Sequence, residues 1–130
     1  MTPAFCAPRL LVVDDEVDVC FAMHSYFTGR GFRVDTATSL DAALGCIGAG
    51  DYAAVVADLR LSGSDGVEGL ELLRHVRATD ATLPFILITG YGTPGVVEAA
   101  TRLGVSRMLV KPQPLSDIAD ALNAQLTAAR

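Results

Sequence analysis

The sequence predicts an α/β fold: a doubly wound (βα)5 sandwich built on a central five-stranded parallel sheet. Three observations lead there. Four short apolar runs are unbroken: Leu10-Leu11-Val12-Val13, Ala53 to Ala57, Phe85-Ile86-Leu87-Ile88 and Met108-Leu109-Val110. Such runs suit strands buried on both faces, as in a parallel sheet covered by helices. A fifth run, Phe32 to Thr36, alternates apolar and polar residues and predicts an edge strand. Stretches of helical period lie between the runs, so strand and helix alternate along the chain, with right-handed crossovers.

Each helix has its own signals. Val17 to Thr28 sets Val17, Cys20, Phe21, Met23, His24 and Phe27 at helical spacing, and Gly29 and Gly31 stop it. Ser39 can cap the next helix, which carries Leu40, Ala43, Leu44 and Ile47 inward before Gly48 and Gly50. Gly69 to Ala78 carries Leu70, Leu72, Leu73 and Val76. Pro94 to Leu103 has proline in its first turn and ends at Gly104. Pro114 to about Ala128 carries Leu115, Ile118, Leu122 and Leu126.

A length of 130 residues fits one domain, and 51% hydrophobic content supplies a real core rather than a disordered chain. With no Trp and 6% aromatic residues, that core is aliphatic. The net charge is -5 and the ten Lys and Arg residues are scattered, which argues against direct contact with nucleic acid. Cys6, Cys20 and Cys46 fit no metal spacing. Cys20 and Cys46 read as small buried hydrophobes in a reducing cytosol, and Cys6 as part of a frayed N-terminus. Met1 to Pro8 has no signal-peptide pattern, and no apolar stretch is long enough to span a membrane, so the expected location is cytoplasmic. The expectation is a single domain over residues 1–130, with its core at about 9–128 and no room for an output domain.

In sheets of this kind ligands bind beyond the carboxyl ends of the strands, near the reversal of strand order. Asp14 and Asp15 follow the first strand, Asp58 the third, Thr89 and Gly90 the fourth, and Lys111 and Pro112 the fifth. Three carboxylates at one sheet edge repel each other. Hard oxygen ligands in that number suit Mg²⁺, which keeps waters that a phosphate can replace. A lysine and a hydroxyl nearby suit phosphoryl oxygens.

The segments LLVVDDE, VVADLRLSG and ILITG and the pair Lys111-Pro112 resemble the receiver domain of response regulators. Each motif alone is weak; all of them in order, each after an expected strand, form a specific signal over about residues 9–128. The resemblance implies a flavodoxin-like strand order, 2-1-3-4-5. It implies Asp58 as phosphoacceptor, with Asp14, Asp15, Asp58 and the backbone carbonyl of Arg60 holding Mg²⁺ or Mn²⁺. Thr89 would bond the phosphoryl group, Lys111 would pair with Asp58 and then with phosphate, and the Lys111–Pro112 bond would be cis. The donor would be a sensor histidine kinase or a histidine phosphotransfer protein. Output would reach a downstream protein target through the fourth helix, fifth strand and fifth helix, a face that also offers a homodimer contact.

Several positions depart from the family pattern. Met108 stands where Tyr or Phe is usual, so a rotating aromatic switch is absent, and Gln113 stands where Phe often follows Pro112. Ser62 replaces a common proline, and Gly69 resembles the usual helix-start glycine better than Gly66 does, which points to a three-residue insertion within Ser64 to Glu68. Arg60 and Tyr91 are large enough to screen the attacking water and lengthen the phosphoryl lifetime.

Competing readings are weaker. Gly90-Tyr91-Gly92-Thr93-Pro94-Gly95 matches a dinucleotide fingerprint, but too little chain follows it and Pro94 removes an N–H that a phosphate cradle needs. Aspartyl-phosphate phosphatases want an acid where Arg60 stands. His24 and His75 read as core or rim packing. Glu16 fits either the metal site or a first-turn helix acid. A degenerate receiver, binding protein without phosphate, is the alternative function.

Overall fold

A computed structural model describes residues 7–61, 67–90 and 93–128. These form five strands and five helices in alternation: β1 (Arg9–Val13), α1 (Val17–Thr28), β2 (Arg33–Ala37), α2 (Leu40–Ala49), β3 (Ala54–Asp58), α3 (Glu68–Thr79), β4 (Phe85–Thr89), α4 (Pro94–Leu103), β5 (Arg107–Val110) and α5 (Leu115–Ala128). All strand pairs are parallel and the order is β2-β1-β3-β4-β5. The doubly wound sandwich expected from the sequence is therefore the fold.

Side chains alternate along each strand, so one run of apolar residues feeds two cores. Leu10, Val12, Val56, Ile86 and Ile88 pack with Met23 and Phe27 of α1 and Ile118 and Leu122 of α5. Leu11, Val13, Val55, Ala57 and Leu87 pack with Ala43 of α2, Leu72, Leu73 and Val76 of α3 and Ala100 of α4. This doubling is why β1, β3 and β4 are apolar throughout.

The fifth run is different. β5 lies at the sheet's other edge, and Val110 is 49% exposed, so this strand is not buried on both faces as its composition predicted. Only Leu109 of β5 is fully buried. In α1, likewise, Cys20, Met23 and Phe27 are buried, but Val17 is 68% and Phe21 72% exposed, and His24 faces solvent. The apolar positions of α1 span more of its circumference than the single face that meets the sheet. His75 is also exposed, and Cys46 is half-buried rather than buried.

The capping expectations hold at three ends. Ser39 accepts a hydrogen bond from the Ala42 N–H at 3.1 Å, Pro94 opens α4, and Gly104 closes it in the left-handed region at φ 89°. Glu68 is the first residue of α3, so the loop before that helix ends one residue earlier than expected. Cys6, Ser62, Ser64, Gly66, Tyr91 and Gly92 lie outside the described residues.

Candidate functional site

Strand register brings the sequence-predicted residues to one edge. Asp58 ends β3 opposite Ile88, and Thr89 ends β4 opposite Val110, the residue before Lys111. Asp14 follows directly from β1, and its N–H donates to the Ala37 carbonyl at 3.0 Å. The Lys111 N–H donates to the Thr89 carbonyl at 2.7 Å, which continues the β4–β5 ladder into the site. The Lys111–Pro112 peptide bond is cis.

Three contacts hold Asp14, which is 2% exposed. Besides its own N–H, its Oδ1 accepts the Glu16 N–H at 2.9 Å, and its carbonyl oxygen accepts the buried Cys20 thiol at 3.2 Å. Burial pushes the Asp14 carboxyl up to about 6; the Asp58 and Asp15 charges push the same way, against the Glu16 N–H and Lys111. Asp15 and Glu16 are exposed beside it, and carboxylate oxygens of Asp14, Asp15 and Glu16 lie within 4.8 Å of one another. Glu16 is the N-cap of α1 but makes no side-chain capping hydrogen bond. The trio thus includes the residue that the sequence left between two readings.

Asp58 is 7% exposed and belongs to the other half of the site. Its Oδ2 accepts the Lys111 ammonium at 2.9 Å, and its Oδ1 lies 3.4 Å from the Arg60 N–H. Burial works against the charged Lys111, but the Asp58 hydrogen bond and the Asp58, Asp14 and Glu16 charges outweigh it and raise its pKa. Asp15, Glu16, Asp58, Arg60, Thr89, Gly90 and Lys111 line one cleft of about 270 Å³. A larger groove of about 440 Å³ runs between α1 and α5 and shares Lys111, but Val19, Ala22, Met23, Ile88 and Pro112 make it apolar. The smaller cleft is the one with phosphate chemistry, because its donors and acids converge.

The remaining expected residues lie around this centre. Met108 is half-buried against the α2–α3–α4 core. The Gln113 side-chain amide donates to the Val110 carbonyl at 3.0 Å. Tyr91 falls outside the described residues. Two residues that no motif singled out also support the site. Cys20 holds the Asp14 carbonyl from below, and Gly69 lies so near β3 that a β-carbon there would sit 2.6 Å from the Asp58 carbonyl oxygen. A glycine in the first turn of an amphipathic helix is the one sequence signal for such a close approach.

Comparison with known proteins agrees with this geometry. Residues 10–123 match the model of the response regulator receiver domain, and the chain belongs to that family. It is a receiver domain of the two-component response regulator type. Over 106 residues it is 34% identical to the C4-dicarboxylate transport transcriptional regulatory protein DctD of Rhizobium meliloti, covering 82% of this chain and 22% of that protein. Over 118 residues it is 25% identical to sporulation initiation phosphotransferase F of Bacillus subtilis, covering 91% of this chain and 93% of that one. A receiver domain protein (CheY-like) from Methanospirillum hungatei superposes with a TM-score of 0.88 at 20% identity, covering 95% of this chain and 97% of that one, a likeness of fold. Among the described residues, no helix is long and apolar enough to cross a membrane.

Proposed function

We propose that this receiver accepts a phosphoryl group on Asp58 from the phosphohistidine of a sensor histidine kinase or a histidine phosphotransfer protein, and passes the signal on by protein contact. The observation that carries the reading is the 2.9 Å pair between Lys111 Nζ and Asp58 Oδ2 inside a cleft that also holds Thr89 and the acidic trio. A carboxylate kept next to a fixed ammonium is poised for a tetrahedral phosphoryl group whose oxygens need the same cation.

The donor set fits a divalent cation: clustered carboxylates, hard oxygens only, with one side open to solvent. Asp14, Asp15, Asp58 and the Arg60 carbonyl would hold Mg²⁺ or Mn²⁺, with Glu16 beside them. When bound, the cation supplies neutralisation of phosphoryl charge. An Asp58 oxygen attacks phosphorus in line, the P–N bond to the donor imidazole breaks, and its electron pair stays on the ring nitrogen. Lys111 then turns from Asp58 to a phosphoryl oxygen, and the Thr89 hydroxyl donates to another. The product is an acyl phosphate that water later cleaves, with Arg60 and Tyr91 narrowing the water's approach. In this reading the protein works in the cytoplasm and signals through the α4–β5–α5 face.

Incubation with acetyl phosphate and Mg²⁺, followed by intact-mass measurement, tests the reading. The expected result is an acid-stable, base-labile mass gain of one phosphoryl group that Asp58→Ala abolishes. A chain that gains no mass, yet still binds its partner, would be the phosphate-independent binding module instead.

A further inference from the structure

Helix α4 is fastened at one end. Ala100, in its C-terminal half, is its fully buried residue, and Leu103 is half-buried next to the same core. From Pro94 to Ala99 no side chain is fully buried, and Val97 is 43% exposed. The N-terminal end begins at Thr93, shortly after Thr89 in the chain, where the Thr93 hydroxyl accepts the Val96 N–H at a long 3.4 Å.

The other end is held from α3. The half-buried guanidinium of Arg77 donates through Nε to the Gly104 carbonyl at 2.9 Å and through Nη1 to the Asp80 carbonyl at 3.1 Å, and its Nη2 lies 3.4 Å from Ser106 Oγ. Gly104 is the left-handed residue that closes α4. Ser106 Oγ also accepts the Phe85 N–H at 2.9 Å, where β4 begins. One side chain therefore ties the end of α3, the end of α4 and the starts of β4 and β5. Among the described residues no carboxylate forms an ion pair with it. Its partners are carbonyls and a hydroxyl, so direction rather than charge sets the position, and the planar fork suits that task better than an ammonium does.

We infer that Arg77 anchors a hinge at Gly104, about which the N-terminal half of α4, carrying exposed Val97, changes position while its C-terminal end stays in place. Buried packing and side-chain bonds are concentrated at one end, and local opening starts where both are sparse. Linking the motion to Asp58 rests on the function proposed above; the hinge itself does not.

Hydrogen exchange read by mass spectrometry on the full chain, without phosphodonor, tests the hinge. Amides at 97–99 should exchange about tenfold faster than those at 100–105 in the wild type. Arg77→Met keeps the aliphatic stem and removes every donor. It should bring exchange at 100–105 up to that of 97–99 and leave β1 and β3 protected. Arg77→Lys, with a donor for Gly104 but no fork, should fall between the two. Equal exchange along α4 in the wild type, or unchanged exchange at 100–105 in a folded Arg77→Met, overturns the hinge. Should Arg77→Met fail to fold, unchanged exchange in Arg77→Lys overturns it too. After acetyl phosphate and Mg²⁺, a change confined to 97–99 supports the hinge, and an equal change across α4 overturns it. Absence of any phosphoryl mass gain would count against the function proposed for Asp58, while the unphosphorylated comparison still decides the hinge.

Discussion

Gly69 sits against Asp58 so closely that an added β-carbon would come within 2.6 Å of the Asp58 carbonyl oxygen and 2.7 Å of the Leu59 Cα. The Gly69 N–H donates to the Leu59 carbonyl at 2.8 Å, so the first turn of α3 is bonded to the strand end it touches. Those neighbours are backbone and cannot swing away. Gly69→Ala should therefore cost about 2–4 kcal/mol in urea unfolding and slow phosphorylation of Asp58 by displacing its main chain. Gly45→Ala is the control: nothing lies within 4 Å of its added carbon in α2, so that variant should gain about 0.5–1 kcal/mol. Equal stability of the two variants would show that the close approach carries no cost.

Lys111 is tied to both halves of its task. Its ammonium bonds Asp58 Oδ2 at 2.9 Å, and its N–H bonds the Thr89 carbonyl at 2.7 Å. Lys111→Met keeps the stem and the backbone bond but removes the charge. Phosphorylation by acetyl phosphate should slow by a factor on the order of 10²–10³. The Asp58 oxygens would then lack the cation that must later meet the phosphoryl group. A variant that phosphorylates at the wild-type rate would remove Lys111 from the proposed chemistry.

Much of this was legible in the sequence because strand ends are legible. Unbroken apolar runs mark β1, β3 and β4, and whatever polar residue breaks each run must emerge at the sheet's edge, which is how Asp14, Asp58 and Thr89 come together. What stayed hidden depends on neighbours that are distant in the chain. Composition alone does not tell a central strand from an edge strand, so the exposed Val110 of β5 was not foreseeable. Phe21 matches the helical period of α1 yet points to solvent, because periodicity marks a stripe without giving the width that packing will cover. The Arg77 bonds to Gly104 and Ser106 join residues with no shared motif, and only the pairing of β4 with β5 brings them together.

At the opposite end of the sheet, Asp35 on edge strand β2 accepts the Tyr52 hydroxyl at 2.8 Å and Arg9 Nη2 at 2.9 Å. The Tyr52 hydrogen bond, followed by that of Arg9, holds the Asp35 carboxyl below its ordinary value. A carboxyl lowered by folding adds stability above its unfolded pKa of about 3.9 and loses it as pH falls through the lower folded value. Since the Asp35 side chain is 47% exposed, solvent screening keeps the effect under about 1 kcal/mol. Tyr52→Phe should lose up to that amount at pH 7, and the gap from wild type should close once pH falls below about 3. A gap of constant size down to that pH would mean that the hydroxyl acts through packing rather than on the carboxylate.

Asp14 poses a conflict between stability and function. Its carboxyl is buried with Asp58 and Asp15 nearby, and burial has moved its pKa up to about 6, so at neutral pH the folded chain carries an ionised group in a place that disfavours it. Asp14→Asn keeps the shape, and its side-chain oxygen can still accept the Glu16 N–H. In chelator-treated protein at pH 7 it should be more stable than wild type by about 1–3 kcal/mol, the free energy of up to two pKa units. Magnesium should reverse the order, because a ligand that binds only the folded chain stabilises it in proportion to occupancy, and the amide variant has lost a charged ligand. Urea unfolding of both proteins, with chelator and with saturating MgCl₂, reads all four values. An Asp14→Asn protein that is less stable in chelator, or that gains as much from magnesium as wild type does, would show that Asp14 is held for its structure and not for a cation.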